Sequence, residues 1–186
     1  MLSTTETEAR YQAVFREHHQ HIYAYFRRRI DAEQAKDCTA DTFLIAWRKV
    51  DSIPQDDELR WLYVVARNVL RNAYRTKRRS RDRFGEPSRQ MPDPSPSPEA
   101  EVVDRELHRE VLDAMHRLRP NDQEILMLAV WEELPRDTIA SVLGCSEHAA
   151  SQRLHRASRR LAKQLGSTNL MDRESGSTNL REEGSL

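Results

Sequence analysis

Residues 135–165 carry the clearest structural signal in the chain and read PRDTIASVLGCSEHAASQRLHRASRRLAKQL. Pro135 suits the first position of a helix, and a short apolar face follows it. The residues of that face are Ile139, Ala140, Val142 and Leu143. Gly144 favours a left-handed helix stop, and Ser146 can cap a second helix. Two helices joined by a short turn that contains glycine predict a helix-turn-helix.

The second of these helices has a polar side that suits contact with DNA. Its inward residues are Ala150, Leu154, Ala157, Leu161 and Leu165, and its outward residues are Glu147, His148, Ser151, Gln152, His155, Arg156 and Arg159. In a helix-turn-helix, the outward side chains of the second helix meet base edges in the major groove. Gln152 and Arg156 are the strongest candidates, because amide and guanidinium groups make bidentate contacts with adenine and guanine. Arg153 either contacts a phosphate or forms an ion pair within the domain. The alternative for all of the outward residues is that they form an ordinary solvated helix face.

Three apolar stripes upstream predict three helices of one domain, which ends near residue 80. The first stripe is Tyr11, Phe15, Ile22, Phe26 and Ile30; the second is Ala35, Thr39, Phe43, Ala46, Trp47 and Val50; the third is Leu62, Val65, Ala66, Val69, Leu70 and Ala73. Asp31 with Gln34 has the form of a capping box at the start of the second helix. Pro54 interrupts the helical pattern before the third helix.

A proline-rich segment separates this domain from the next. Residues 85–98 hold five of the eight prolines, so we expect an exposed, semi-extended linker there. Helical periodicity resumes at Val103, Leu107, Val111, Leu112, Met115 and Leu118, and Asn121 with Glu124 forms a second capping-box pattern. The polar stretch after Gly166 repeats GSTNL and is expected to be disordered. The sequence therefore predicts an all-α protein of two small helical domains.

The polar face of the third helix is a second candidate for nucleic-acid binding. Trp61, Tyr63 and Tyr74 accompany Arg67, Asn68, Arg71 and Asn72. Aromatic rings stack on unpaired bases, amides bind base edges and arginines follow phosphates, which is how single strands are held. The alternative is that Trp61 and Tyr74 belong to the core and that the amides are simply solvated.

Composition and missing motifs argue against several other classes. Thirty basic residues balance thirty acidic ones, so only the placement of charge is informative. Cys38 and Cys145 lie in separate helical patterns, which favours free thiols and a cytoplasmic setting. The first ten residues, MLSTTETEAR, show no basic start followed by an apolar stretch, and no apolar run reaches membrane length, so we expect a protein that is neither exported nor embedded. His18, His19 and His21 are expected to be exposed rather than metal ligands. We therefore expect no enzyme activity, cofactor, metal or small-molecule substrate.

Three segments carry a resemblance to one family. The segments AKDCTADTFLIAWRKVD (35–51), WLYVVARNVLRNAYR (61–75) and IASVLGCSEHAASQRLHRASRRL (139–161) resemble the second conserved helix, the promoter-melting helix and the recognition helix-turn-helix of extracytoplasmic-function (ECF) sigma factors. These proteins belong to the sigma-70 family of bacterial RNA polymerase sigma factors. The resemblance implies sigma region 2 at residues 9–82, a flexible linker at 83–101, sigma region 4 at 102–165 and a polar tail at 166–186.

The resemblance also implies a function, partners and site residues. The chain would bind the clamp helices and flap of core RNA polymerase, read promoter DNA and be held in check by an anti-sigma factor. Contacts with the −10 element would come from Trp61, Arg67, Asn68, Arg71, Asn72 and Arg75, beside the loop Ile53 to Glu58. Contacts with the −35 element would come from Ser146, His148, Ser151, Gln152, Arg153, His155 and Arg156. Polymerase contacts would come from Asp37, Ala40, Asp41, Phe43 and Trp47, with Leu118 to Val130 near the flap and the linker near the RNA exit path.

The chain departs from the family pattern at three places. Ala40 stands where glutamine is usual, which puts one polymerase contact in doubt. Ala149 and Ala150 replace a Thr-Val pair, and Ser151 stands where a basic residue is frequent, so the −35 preference is open. An alternative function is a stand-alone helix-turn-helix regulator, which would explain residues 120–165 but leave Trp61, Asn68 and Asn72 without a role.

Overall fold

The computed structural model describes residues 4–84 and 102–178, and within them the chain is helical. The helices are α1 (Thr4–Arg27), α2 (Ala32–Arg48), α3 (Glu58–Phe84), α4 (Val102–His116), α5 (Pro120–Val130), α6 (Arg136–Leu143) and α7 (Glu147–Thr178). A short 3-10 turn at Val50–Ser52 follows α2. The predicted all-α class is confirmed. The predicted linker falls almost entirely on residues 85–101, outside the described residues.

Contacts within the chain group the helices into two compact units. One unit contains α1, α2, α3 and α6, and the other contains α4, α5 and α7 from His148 onward. The domain boundaries at residues 82, 101 and 165 rest on the sequence pattern and stay predictions.

The core of the first unit lies between α1, α2 and α3. Its largest fully buried side chains are Ile22, Tyr25, Phe26, Phe43, Leu62 and Tyr63. The predicted stripe of α1 is partly wrong, because Val14 and Tyr25 are buried while Phe15 is 38% exposed. Trp47, predicted to be inward on α2, is 41% exposed. These outer rings pack on other rings instead: Trp47 lies edge-on to Tyr11 at 5.1 Å between centroids, and Phe15 lies 4.8 Å from Phe43.

A buried arginine joins the end of α1 to α3. Arg29 is 2% exposed, its Nη1 donates to the carbonyl of Tyr25 at 2.7 Å, and its guanidinium carbon lies 3.8 Å from the centre of the Tyr25 ring. The hydroxyl of Tyr74 on α3 donates to the carbonyl of Arg29 at 3.0 Å. Hydrogen bonds and the aromatic face offset the cost of burying this cation. Tyr74 therefore helps to hold α3 in place.

Of the two predicted helix caps at Asp31 and Asn121, the structure confirms the first and contradicts the second. The carboxylate of Asp31 accepts a hydrogen bond from the backbone N–H of Gln34 at 2.9 Å, which confirms Asp31 as the cap of α2. The predicted cap at Asn121 is wrong, because α5 begins at Pro120 with Arg119 before it. Proline fixes φ near the helical value, and the N–H that it lacks would have no helical partner at the first position. Proline is therefore favoured there.

Apolar packing and an ion pair between α5 and α7 hold the second unit together. Its buried apolar side chains include Leu112, Met115, Leu118, Ile125, Leu126, Leu128, Ala150 and Ala157. Arg160 of α7 donates to both carboxylate oxygens of Asp122 of α5, at 2.9 and 2.7 Å. The side chain of Gln123 donates to the carbonyl of Leu118 at 2.9 Å and so fastens the end of α4 to α5.

Helix α7 is longer than the sequence predicted. It passes through Gly166 and ends at Thr178, so the expected disorder is wrong for residues 166–178, and residues 179–186 lie outside the described residues. In an exposed helix, one glycine costs only about 0.5–1 kcal/mol, which the neighbouring turns can outweigh.

Candidate nucleic-acid interface

The turn before α7 has the geometry that its glycine predicts. Gly144 adopts φ 66° and ψ 45°, in the left-handed region. Its N–H donates to the carbonyl of Ser141 at 3.2 Å, and the N–H of Cys145 donates to that of Ala140 at 3.0 Å. This pair of bonds is a Schellman motif, which satisfies the last carbonyls of α6. Pro135 precedes α6 by one residue instead of being its first residue, and its carbonyl accepts from Ile139 at 2.9 Å.

The predicted −35 residues lie together at the start of α7. His148, Gln152, Arg153, His155 and Arg156 are exposed, Ser151 is half-buried, and Ser146 is exposed immediately before the helix. Gln152 Nε2 lies 2.8 Å from His148 Nε2, and Arg156 Nε donates to the carbonyl of Gln152 at 3.2 Å. Two of the base-reading candidates are thus held by contacts along their own helix.

The predicted −10 residues lie along α3. Asn68, Arg71, Asn72 and Arg75 are exposed, whereas Trp61 and Arg67 are half-buried. Tyr63, weighed as a stacking ring, is 1% exposed and packs 5.6 Å from the ring of Tyr25, so it belongs to the core. Tyr74 is held by its bond to Arg29. The polar edge of α3 thus offers amides and cations, with Trp61 as the remaining candidate ring.

The loop before α3 is anchored by groups that sequence reasoning missed. Ile53 is buried, and its carbonyl accepts a hydrogen bond from the guanidinium of Arg10 on α1. Asp56 adopts φ 63°, a left-handed conformation that aspartate tolerates better than most residues. Arg60 forms ion pairs with Asp57 and with Asp137 of α6. Asp56 could have been found from turn chemistry, but Arg10 lies 43 residues from its partner and leaves no local signal.

The predicted polymerase-binding residues divide between surface and core. Asp37, Ala40 and Asp41 are exposed on α2, and Trp47 is partly exposed, but Phe43 is 2% exposed and its side chain faces the core. Leu44, which the sequence analysis did not single out, is exposed beside Asp41. Asp37, Asp41 and Leu44 line a groove whose other wall is formed by Val69, Asn72 and Thr76 of α3.

Burial perturbs the pKa of Cys38 and of His18 in the first unit. Burial raises the pKa of the Cys38 thiol to about 11, and Asp41, Asp37 and Asp31 add to this rise, so the thiol stays protonated. Burial lowers the pKa of His18, an effect opposed by Glu17 and Glu58 and reinforced by His21. The expectation that His18 is exposed is therefore wrong.

The residues that the structure describes contain neither a metal-binding cluster nor a helix suited to span a membrane. Among the residues that the structure describes, no three histidine, cysteine or acidic side chains lie close enough to hold a metal ion. Within residues 4–84 and 102–178, no helix combines the length and the apolar character needed to cross a bilayer.

Family models match both parts of the chain. Residues 14–80 match sigma-70 region 2, and residues 108–161 match sigma-70 region 4. The first match contains α2, the loop and most of α3; the second contains α5, α6 and the exposed start of α7.

Several RNA polymerase sigma factors are similar to this chain in sequence. RNA polymerase sigma factor YlaC of Bacillus subtilis is 31% identical over 157 residues, which cover 82% of this chain and 90% of that protein. ECF RNA polymerase sigma factor BldN of Streptomyces coelicolor is 31% identical, over 77% of this chain and 56% of that protein. The probable RNA polymerase sigma factor RfaY of Xanthomonas campestris is 33% identical, over 68% of this chain and 33% of that protein. The chain thus spans about a third to just over half of two of these relatives.

Solved structures show the same fold. The sigma factor RpoE of Bartonella quintana, crystallised with the anti-sigma factor NepR, superposes with a TM-score of 0.64 at 20% identity, covering 88% of this chain and 98% of that one. CnrH, in complex with the cytosolic domain of CnrY, superposes with a TM-score of 0.58 at 22% identity, covering 84% and 88%.

Proposed function

The chain belongs to the ECF group of the sigma-70 family of RNA polymerase sigma factors, and we propose that it binds core RNA polymerase and directs initiation at specific promoters. The observation that carries the proposal is the presence of two separate polar surfaces in one chain. One is the amide and arginine edge of α3, and the other is the exposed start of α7. The proposed role is recognition and positioning, with no catalysis by this chain.

The start of α7 is the proposed reader of the −35 element. It follows a Schellman turn, and its exposed amide and guanidinium groups suit base edges in a major groove. Gln152 and Arg156 would contact bases, while Arg153 and the hydroxyls of Ser146 and Ser151 would approach phosphates. Because Ala149 carries no hydroxyl, the −35 contacts would depend more on Gln152 and Arg156.

The edge of α3 is the proposed reader of the −10 element after the strands separate. Asn68 and Asn72 lie one helical turn apart and are exposed, so both amides can meet the edges of unpaired bases. Arg71 and Arg75 alternate with them and would follow the phosphates. The anchored loop from Ile53 to Glu58 would frame a flipped base, with Trp61 as a stacking partner.

The exposed side of α2 is the proposed docking surface for the polymerase clamp helices. Asp37 and Asp41 supply negative charge there, and Leu44 adds exposed apolar area. Phe43 would act by holding α2 against the core. Residues 118–130 would face the flap, and the linker 83–101 would run toward the RNA exit path. Since RpoE and CnrH were solved with the anti-sigma factor NepR and with CnrY, we also infer a cytoplasmic anti-sigma partner for this chain.

Reconstitution with core polymerase tests the proposal. The full chain is added to core enzyme and a pool of duplexes with randomised upstream sequence, and initiating templates are sequenced. We expect a shared pair of upstream elements, with permanganate-reactive thymines in the downstream one. A stand-alone regulator would instead bind duplex equally well without polymerase and produce no opened strands. Failure to bind core enzyme or to redirect initiation would refute the proposal.

A further inference from the structure

Three exposed side chains at the start of α7 form a connected ladder. The side-chain nitrogen of Gln152 lies 2.8 Å from Nε2 of His148, one turn earlier. One turn later, Nε of Arg156 donates to the backbone carbonyl of Gln152 at 3.2 Å. His148 therefore holds the side chain of Gln152, and the backbone of Gln152 holds the side chain of Arg156.

The chemistry of the first contact fixes which groups of Gln152 remain free. An amide nitrogen only donates, so in this contact Nε2 of His148 acts as the acceptor. This contact uses one amide hydrogen. The carbonyl oxygen of the amide and its second hydrogen remain available, and one acceptor beside one donor matches the N6 and N7 edge of adenine.

We propose that His148 is a positioning residue that sets the base preference of Gln152 to adenine by accepting one of its amide hydrogens. This inference rests on the proposed reading of the −35 element by α7. A donor at position 148 would hold the amide oxygen instead and leave two hydrogens free, which match the O6 and N7 acceptors of guanine. The residue at 148 thus acts on the DNA through Gln152.

The second contact in the ladder supports the same role. With Nε of Arg156 bonded to the helix backbone, its two terminal nitrogens remain to form a fork toward a base or phosphate. Side chains that are held in place before binding lose less conformational freedom when they contact DNA. They therefore discriminate more strongly between base pairs that match their hydrogen-bonding groups and base pairs that do not. Gln152 and Arg156 would therefore present a fixed pair of patterns to neighbouring base pairs.

Variants of His148 with opposite hydrogen-bonding character test the proposal. Holoenzyme is reconstituted with the wild type, His148→Glu, His148→Lys or His148→Ala, and each selects templates from a duplex pool randomised across the −35 element. His148→Glu only accepts and should keep adenine at the Gln152 position. His148→Lys only donates and should shift the adenine-to-guanine ratio toward guanine by about tenfold. His148→Ala should weaken the preference without reversing it.

Controls separate positioning from charge and from the proposed function. The same His148 substitutions in a Gln152→Ala background should leave the base ratio unchanged. Ser158→Lys, which adds a cation at an exposed position outside the ladder, should raise binding to all sequences alike. Unaltered adenine preference in both charged variants, or a wild-type preference that survives Gln152→Ala, would overturn the inference while leaving the sigma-factor function intact. A holoenzyme that selects no −35 sequence would overturn the proposed function itself.

Discussion

At the residue scale, one glycine has a conformation that other residues rarely adopt. Gly144 has a positive φ, and a Cβ built there meets no atom within 4 Å, so the cost of a side chain is purely conformational. We expect Gly144→Ala to lower the free energy of unfolding by about 1–2 kcal/mol. Denaturant titration followed by circular dichroism measures this change.

The matched control for Gly144 is Gly166. It also has open space around its Cβ position, but it lies inside α7. The same substitution should therefore raise the free energy of unfolding by up to about 0.5–1 kcal/mol, since alanine favours a helix more than glycine does. A destabilising Gly166→Ala would argue against a helix that continues through this residue.

His18 is the residue whose burial predicts a response to pH. Its folded-state pKa lies below the ordinary value of about 6.5, so the unfolded chain binds the proton more readily. The stabilising contribution of neutral His18 is complete above that value and is lost as the pH falls below it. His18→Leu should therefore flatten the fall in unfolding free energy as the pH drops below about 6.5, measured by denaturant titration at each pH.

The control for His18 is His21, which lies on the same helix and is exposed. His21→Gln leaves His18 buried and should keep most of the acid-dependent loss of stability, because burial is the largest cause of the lowered pKa of His18. An equal flattening in both variants would mean that charge repulsion among the histidines, rather than burial of His18, governs the pH response.

At the element scale, α5 and α7 are joined by an ion pair between Asp122 and Arg160. Asp122 is largely buried and accepts two hydrogen bonds from Arg160, whose side chain is about half exposed. We expect Asp122→Ala to cost about 1–2 kcal/mol of unfolding free energy, since solvent reaches the arginine and screens part of the attraction. A double-mutant cycle with Arg160→Ala should give a coupling energy clearly above zero. A coupling near zero would show that apolar packing alone holds the two helices together.

The helix ends show why the sequence anticipated some boundaries and not others. The caps at Asp31 and Gly144 depend on the chemistry of a few adjacent residues, and both are present as predicted. The start of α5 was misplaced because two local signals competed, and Pro120 prevailed over Asn121. The polar composition after Gly166 predicts disorder, but α7 continues to Thr178 because a single exposed glycine does not end a helix.

At the scale of the whole molecule, the proposed function assigns two steps of initiation to two surfaces. Arg156→Ala should reduce −35-dependent recruitment of the holoenzyme by about tenfold, because one bidentate base contact is lost. Asn68→Ala combined with Asn72→Ala should leave recruitment nearly unchanged and impair strand opening. Gel-shift assays of the closed complex and permanganate footprints of the open complex measure the two steps separately.

The exposed Gln20 on α1 provides a matched amide outside both surfaces, so Gln20→Ala should change neither step. Loss of recruitment and of opening in equal measure for both test variants would show that the division of labour between α3 and α7 is wrong. Preserved opening in the double asparagine variant would remove the proposed −10 role from α3 alone.

The helical class, the order of the helices, the family and the polar faces of α3 and α7 could all be predicted from the amino-acid sequence. All of these follow from periodicity, capping and motifs that act over a few residues. The tertiary structure decided which side of each helix is buried: Tyr63 and Phe43 lie in the core, and Trp47 lies at the surface. It also decided the partners of Arg10, Arg29 and Asp122. Burial depends on which distant helix packs against a face, and an amphipathic stripe limits that choice without specifying it.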